Sequence, residues 1–221
     1  MEFARGEVTK DIEVIGDTNE TGTKITFKPD AEIFDTVIFE RSILENRFRE
    51  MAFLNKGVEI RFEDLREDFK TSFKFEGGIS EFVAFLNRNK DPIMEMIPHF
   101  DGVQEGVEVE FAFQYTDGYS ENILSYANNI QTPEGGTHLS GLRTSLTRTV
   151  NDYARKYNFI KDNEENLQGE DIREGITAII SVKISDPQFE GQTKSKLGNS
   201  EVRGVVDLSL IHISERAGKA D

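Results

Sequence analysis

Three observations predict an α+β fold for this chain of 221 residues. Residues 107–115 alternate apolar and polar side chains at the period of two that is typical of a half-exposed β-strand. Residues 138–157 instead place their apolar side chains at the spacing of an α-helix. No apolar run approaches the roughly 20 residues that a membrane-spanning helix needs, so a soluble protein with a packed core is predicted.

The first 30 residues have the pattern of an antiparallel hairpin. Residues 8–16 and 23–28 alternate apolar and polar side chains, and the turn-forming residues 17–22 lie between them. Pro29 ends the second strand because proline has no backbone N–H to donate.

A helix is predicted after this hairpin. Ser42 is a suitable N-cap for a helix that runs to about Asn55, and Gly57 is a natural residue just beyond its end. The glycine pair at 77–78 indicates a boundary before a second, short helix. Further strands are predicted near residues 58–63, 71–75, 97–103, 107–115, 123–127 and 176–184.

The long helix over residues 138–157 has Thr137 as its predicted N-cap. At about 100° per residue, its apolar side chains form one stripe that is predicted to pack on a sheet. The stripe consists of Leu139, Leu142, Leu146, Val150, Tyr153 and Tyr157. Arg148 and Arg155 point nearly opposite the stripe, and Arg143 lies at its edge. Taken alone, this arginine side is typical of a solvated helix face.

The composition is acidic, with 41 Asp and Glu residues against 26 Lys and Arg residues and a net charge of −15. Nonspecific nucleic-acid binding depends on Lys and Arg replacing phosphate counterions, so any DNA contact must be local. The absence of cysteine excludes disulfides and thiolate metal sites and is compatible with a reducing cytosol.

The sequence contains no self-sufficient catalytic motif. His99, His138 and His212 lack the spacing of paired metal ligands, so no metal site is predicted. Glu108 and Glu110 share one strand face, which is typical of a half-exposed strand rather than of an acid–base pair. A phosphate-binding P-loop is also absent.

The polar loop 186–199 is a candidate phosphate-binding segment. It carries Lys194 and Lys196, and Lys183 precedes it at the end of a predicted strand. An ammonium group on such a loop can reach a phosphate and neutralise the charge that develops during phosphoryl transfer. The alternative is that these lysines are solvated, as most lysines in polar loops are.

Residues 134–156, from Glu-Gly-Gly-Thr-His-Leu-Ser-Gly to Tyr-Ala-Arg-Lys, resemble the signature segment of the transducer domain of one family. That family contains the B subunit of DNA gyrase and its topoisomerase IV counterpart. The resemblance covers about residues 3–206 in order. Its other segments are residues 21–30, 52–57, 75–79, 117–122, 186–194 and 199–206.

The resemblance implies a division into three parts. Residues 1–72 are the C-terminal remnant of a Bergerat-fold (GHKL) ATPase domain. Residues 73–206 are a transducer domain, a two-layer α+β fold with a left-handed βαβ crossover like domain two of ribosomal protein S-five. Residues 207–221 form a tail outside the family pattern, either artefactual or disordered.

The resemblance also implies site residues. Thr23 lies by the adenine of ATP, and Gln192 and Lys194 reach the γ-phosphate, where Lys194 has a catalytic role. Arg143 lines a cavity between two protomers that is sized for DNA. Arg148, on the opposite helix face, is the second candidate for contact with DNA.

The implied function is the coupling of ATP binding and hydrolysis to DNA-gate movement and strand passage in a cytoplasmic type II topoisomerase. The implied partners are DNA, a gyrase A-type cleavage subunit and a second B subunit. The family's catalytic Glu, its Mg-coordinating Asn and its glycine lid have no counterpart here, so the chain is expected to be an inactive fragment, with Mg held only in the full-length enzyme. It is expected to be a monomer because the family's N-terminal dimer arm is absent. A coupling domain of another GHKL-type ATPase and a non-catalytic binding module are the alternatives, and gyrase is not distinguished from topoisomerase IV.

Overall fold

The computed structural model describes the backbone of residues 1–217 and the side chains as far as Ser209. The chain forms two compact units, one from Met1 to Leu44 and a larger one that begins at Glu45. None of the described helices is long and apolar enough to cross a membrane.

The first unit contains one short hairpin. Strand β1 (Glu2–Ala4) pairs antiparallel with β2 (Glu7–Lys10), and Arg5 and Gly6 both have positive φ, as a tight hairpin turn requires. Residues 11–40 contain neither a helix nor a strand, so the predicted hairpin of residues 8–16 and 23–28 is wrong. Alternating apolar residues form a strand pair only if another layer covers their apolar face, and these side chains are exposed.

The second unit is built around a five-stranded sheet. Helix α1 (Arg41–Leu54), the hairpin of β3 (Ile60–Asp64) and β4 (Phe69–Phe73), and helix α2 (Ile79–Asn87) precede the sheet. Its strands are β5 (His99–Gln104), β6 (Val107–Tyr115), β7 (Asn122–Ala127), β8 (Ile130–Gln131) and β9 (Ile176–Lys183). The remaining helices are α3 (Thr137–Lys156), α4 (Gly169–Arg173) and α5 (Ser200–Ala217).

The strand order is β5-β6-β9-β7-β8, so the last strand in the chain lies in the middle of the sheet. Strand β9 runs antiparallel to β6 and parallel to β7. The connection from β7 to β9 passes through β8, α3 and α4, as a parallel pair requires a long crossover. The sheet is therefore mixed.

Helices cover both faces of this sheet. On one face, Ile180 of β9 packs in a core with Leu142 of α3 and Val206 of α5. On the other face, Ile179 packs with Phe53 of α1 and Phe82 of α2. The two-layer prediction for residues 73–206 is therefore wrong, because α2 adds a layer on the second face. Burial on both faces explains why β9 is almost entirely apolar instead of alternating.

The boundary between the compact units differs from the predicted boundary at 72/73. The Phe53 ring of α1 stacks on Phe75 with centroids 3.6 Å apart and on Phe82 at 4.7 Å. Since α1 shares a core with α2, the division falls earlier, after Leu44. The assignment of residues 1–72 to an ATPase remnant and of residues 73–206 to a transducer stays a prediction.

Helix α3 has the predicted extent but a different start and a different buried face. Its N-cap is Gly136 with φ 137°, and the Thr137 side chain makes no capping bond. Leu142 and Leu146 are buried as predicted, whereas Tyr153 and Tyr157 are 55% and 41% exposed. The other buried residues of α3 are small or polar and include Gly141, Ser145 and Ala154, since α5 packs closely along this helix.

Helix α5 continues through the predicted start of the tail. It begins at Ser200 and runs without a break past Val206 to Ala217. The assignment of residues 207–221 to an artefactual or disordered tail stays a prediction. Extending an existing helix adds one hydrogen bond for each residue fixed, and the buried side chains of Val202, Val205 and Val206 anchor the first turns. The predicted tail residues 218–221 lie outside the described residues.

Candidate functional site

The predicted phosphate-binding segment forms a narrow hairpin loop. Phe189 and Leu197 form an antiparallel bridge, and the Gly198 N–H donates to the Gln188 carbonyl at 2.7 Å. The Glu190 N–H donates to the Lys196 carbonyl at 2.9 Å, so the two sides of the loop are paired almost to its tip. The tip, residues 191–195, is thus held on a paired stem.

This loop is joined to the glycine pair at the start of α3. The Leu197 N–H donates to the Gly135 carbonyl at 3.1 Å, and the Thr137 N–H donates to the Leu197 carbonyl at 3.1 Å. A Cβ on Gly136 would lie 2.3 Å from the Leu197 carbonyl oxygen, so only glycine permits this approach. Backbone hydrogen bonds therefore join the loop 186–199 directly to the start of the segment 134–156.

Two further contacts fix the loop. Ser195 donates its hydroxyl to the Glu134 carboxylate at 2.8 Å, and the Glu134 N–H donates to the Ser195 carbonyl at 3.0 Å. At the base of the stem, the buried Asn199 accepts the Gln188 N–H at 2.6 Å and donates to the Asp186 carbonyl at 3.1 Å. Polar side chains at both ends of the stem thus limit its movement.

Lys194 differs from the other lysines of this segment. Lys196 pairs with Glu190 at 3.1 Å, and Lys183 lies 3.7 Å from Glu108. Lys194 is exposed with φ 56°, and the structure gives it no carboxylate partner among the described residues. Its Nζ lies 5.8 Å from the ring centroid of Phe189. The Lys194 ammonium is therefore available to an anion.

Gln192 also lies exposed at the loop tip, two residues before Lys194. Its amide offers neutral N–H donors beside the ammonium group. Thr23, the residue predicted to lie by adenine, is exposed in the first unit, outside any helix or strand. Gln192 and Lys194 thus share the exposed loop tip, and Thr23 belongs to the first compact unit.

His138, in the second position of α3, belongs to a buried hydrogen-bond network. Its Nε2 lies 3.1 Å from the Thr132 hydroxyl, which donates to the Ser125 carbonyl at 3.0 Å. Burial lowers the pKa of His138 to about 4, so the imidazole is neutral at pH 7. The network fixes the segment between β8 and α3, which agrees with a structural histidine.

The arginines of α3 are all engaged by side chains or carbonyls. Arg143 donates to the Glu121 carboxylate, and Arg148 donates to Asp207 at 2.7 Å. Arg155 donates to the Asn166 side chain at 2.8 Å and to two loop carbonyls. The sequence predicts that Arg148 and Arg155 point away from the apolar stripe and that Arg143 lies at its edge. Arg143 and Arg148 are exposed, Arg155 is half-buried, and each is held by a neighbouring element.

The described residues contain no group of three His, Cys, Asp or Glu side chains that could hold a metal ion. At the loop tip, Lys194 supplies an ammonium group and Gln192 supplies an amide whose N–H groups can donate hydrogen bonds.

A family model described as DNA gyrase B matches residues 78–212. The B subunit of DNA gyrase from Halalkalibacterium halodurans is 58% identical over 209 residues, which are 94% of this chain and 33% of that protein. The corresponding subunit of Clostridium acetobutylicum is 54% identical over 215 residues, 97% of this chain and 33% of that protein. The chain thus spans about a third of the length of these relatives.

A solved structure of the 43K ATPase domain of Thermus thermophilus gyrase B in complex with an aminocoumarin is also similar. It matches with a TM-score of 0.79 and 38% identity, covering 98% of this chain and 60% of that chain. The fold is therefore the mixed α/β fold of the ATPase region of a type II topoisomerase subunit. The chain belongs to the DNA gyrase B family. The family model and these relatives favour neither another GHKL-type ATPase nor a binding module.

Proposed function

We propose that this chain acts within the ATPase and transducer region of a gyrase B-type subunit, where it couples ATP binding and hydrolysis to DNA-gate movement and strand passage. Family membership supports this function. The observation that carries it is the exposed Lys194 ammonium, which has no carboxylate partner among the described residues. The loop that presents Lys194 is bonded to the start of α3 through Gly135 and Thr137.

The loop tip fits a phosphate group. ATP supplies the transferable phosphoryl group when it is bound. Lys194 places a positive charge against the γ-phosphate, and Gln192 donates a neutral hydrogen bond beside it. Because the stem is paired and bonded to α3, movement of Lys194 toward the phosphate displaces the start of this long helix.

Several finer features belong to the same proposal. Thr23 lies by the adenine, the β7–α3–β9 connection is a left-handed βαβ crossover, and the domain resembles domain two of ribosomal protein S-five. Mg²⁺ acts in the complete enzyme, and the described residues contain no group of three His, Cys, Asp or Glu side chains that could hold it. That enzyme is cytoplasmic and contains a second B subunit and a gyrase A-type subunit, whereas this chain alone is a monomer.

DNA is the proposed partner of the arginine side of α3. The net charge of −15 makes a local cationic site necessary, and Arg143 and Arg148 supply it. In a complete subunit, Arg143→Gln should leave basal ATP turnover near the wild-type value and reduce its stimulation by DNA. Arg148→Gln provides the comparison on the other side of the helix. If neither substitution changes the stimulation, α3 has no DNA role.

The loop is tested by kinetics of a complete subunit that carries this segment. Lys194→Ala should lower kcat by about 10²–10³-fold, the usual effect of removing one donor to developing charge, while KM for ATP changes less. Gln192→Ala should act in the same direction with a smaller effect, because its donor is neutral. Lys196→Ala is the matched control, since Lys196 is paired with Glu190 on the same loop. Wild-type turnover in both Lys194→Ala and Gln192→Ala would show that the loop is only a linker.

A further inference from the structure

The Glu121 carboxylate, just before β7, joins two guanidinium groups from different helices. Arg143 of α3 donates to Oε1 through Nε, at 3.1 Å, and through Nη2. Arg173, at the end of α4, donates its Nε to Oε2 at 2.9 Å. The cluster therefore ties the start of β7 to two elements of the crossover between β7 and β9.

The three side chains differ in exposure. Arg143 is 45% exposed and Glu121 27% exposed, whereas Arg173 is only 14% exposed. Arg173 is also confined by Gly169, where an added Cβ would lie 2.6 Å from its Nη1. A ligand that arrives from solvent therefore meets Arg143 first, and Arg173 stays beside Glu121.

The cluster has an excess of positive charge, since two guanidinium groups share one carboxylate. Burial alone would raise the pKa of Glu121, but the hydrogen bonds and charges of Arg173 and Arg143 together lower it below its usual value. Glu121 is thus an anion at neutral pH, and Arg143 is not needed to keep it paired. Arg173 alone supplies a counter-charge.

We propose that Glu121 occupies the place of a DNA phosphate on Arg143, and that a phosphodiester group of duplex DNA takes over this guanidinium while Arg173 retains Glu121. The inference rests on the proposed function, which supplies DNA as the ligand. The Arg143 guanidinium binds a phosphate with the same fork of donors that it uses for a carboxylate. After the exchange, no charge of the cluster is left without a partner.

Arg148 provides a contrast on the same helix. Its partner Asp207 forms no second ion pair among the described residues, so in this arrangement release of Arg148 would leave that carboxylate without an ion-pair partner. Arg143 and Arg148 are therefore not equivalent: the partner of Arg143 is shared, and the partner of Arg148 is not. A DNA phosphate is therefore expected to bind Arg143 in preference to Arg148.

The test uses a complete gyrase B-type protein that carries this segment, with binding of labelled duplex DNA measured over a series of salt concentrations. Glu121→Gln removes the competing charge and should tighten binding roughly two- to fivefold, because an ion pair this exposed is worth little. The gain should vanish in the Glu121→Gln/Arg143→Gln double variant. Asp207→Asn removes the same negative charge beside Arg148 and should change the affinity less.

Melting midpoints show whether each variant is folded. If Glu121→Gln does not fold, Glu121→Asp replaces it in the test, because its shorter side chain reaches less far toward Arg143. Equal tightening by Asp207→Asn overturns the inference, because the effect is then one of net charge. Weaker binding by folded Glu121→Gln also overturns it, since Glu121 then only orients Arg143. If Arg143→Gln weakens binding and Glu121→Gln does not tighten it, the inference alone fails. If Arg143→Gln does not change the affinity for DNA, both this inference and the proposed contact of Arg143 with DNA fail.

Discussion

Gly141 of α3 faces the backbone of Arg203 in α5 so closely that a Cβ at position 141 would lie 2.8 Å from the Arg203 carbonyl oxygen. That Cβ would also lie 3.3 Å from the Val206 side chain. A glycine inside a helix normally destabilises it by about 1 kcal/mol relative to alanine. Here the absence of a side chain sets the distance between the two helices.

Gly141→Ala is therefore expected to destabilise the fold by about 1–3 kcal/mol, the usual cost of overpacking, despite the better helix propensity of alanine. Gly204→Ala is the matched control, because Gly204 lies in α5 with nothing within 4 Å of an added Cβ. It should raise stability by up to about 1 kcal/mol. Chemical denaturation measures both. Stabilisation by both substitutions would show that α3 and α5 are not in close contact.

Gly136→Ala should be the more damaging substitution. It places a Cβ at a residue with φ 137°, a conformation that residues other than glycine rarely adopt, and only 2.3 Å from the Leu197 carbonyl oxygen. Strain and overpacking together predict a loss of about 3 kcal/mol or more in the free energy of unfolding. Gly191→Ala, with φ 77° and open space around its Cβ, isolates the backbone strain and should cost less. Comparable melting midpoints for the two variants would contradict the close approach of Gly136 and Leu197.

His138 predicts a pH dependence of stability. Its folded pKa, about 4, is below the ordinary value of 6.5, so between these values the unfolded chain binds a proton that the folded chain does not. The contribution is fully present above pH 6.5 and is lost as the pH falls through about 4, with a total of about 3 kcal/mol. Unfolding of wild type and His138→Gln across this range measures the difference. A pH slope that is equal in the two proteins would rule out the shift.

The ion pair between Arg148 and Asp207 should contribute little stability. Its side chains are 42% and 26% exposed, so solvent screens the attraction to about 0.5 kcal/mol. A double-mutant cycle with Arg148→Gln and Asp207→Asn gives this coupling free energy directly. A value above about 2 kcal/mol would mean that the pair is much better shielded than its exposure indicates.

Periodicity predicts the strongest elements well. Helix α3 begins and ends within one residue of the predicted range 138–157, and β6 has the predicted bounds 107–115. The sequence pattern gives no helix prediction where α4 forms, because the capping box of α4 uses Gln168 and Asp171 rather than the usual Ser or Thr followed by Glu. Periodicity also misses the buried half of α3 near Ala154, since a small residue gives no hydrophobic signal.

The candidate site is predictable in part. The sequence places Lys194 and Gln192 correctly at an exposed loop, but the contact of that loop with Gly136 depends on folding and not on local pattern. Glu121 lies in residues 117–122, one of the segments that resemble the family, but the local sequence pattern does not predict its ion pairs. Its two arginine partners are 22 and 52 residues away, and such distant ion pairs are visible only in three dimensions.

The central position of β9 has a consequence for the order of folding. Its neighbours β6 and β7 precede it in the chain, and until residues 176–183 are available each of them has an unpaired edge. Before β9 is available, only the two separate antiparallel pairs β5–β6 and β7–β8 can form, and β9 then joins them. Such late, non-local closure is slow and leaves edges open to other chains. A substitution that delays pairing of β9 should thus reduce the yield of soluble protein more than it reduces the stability of the folded state.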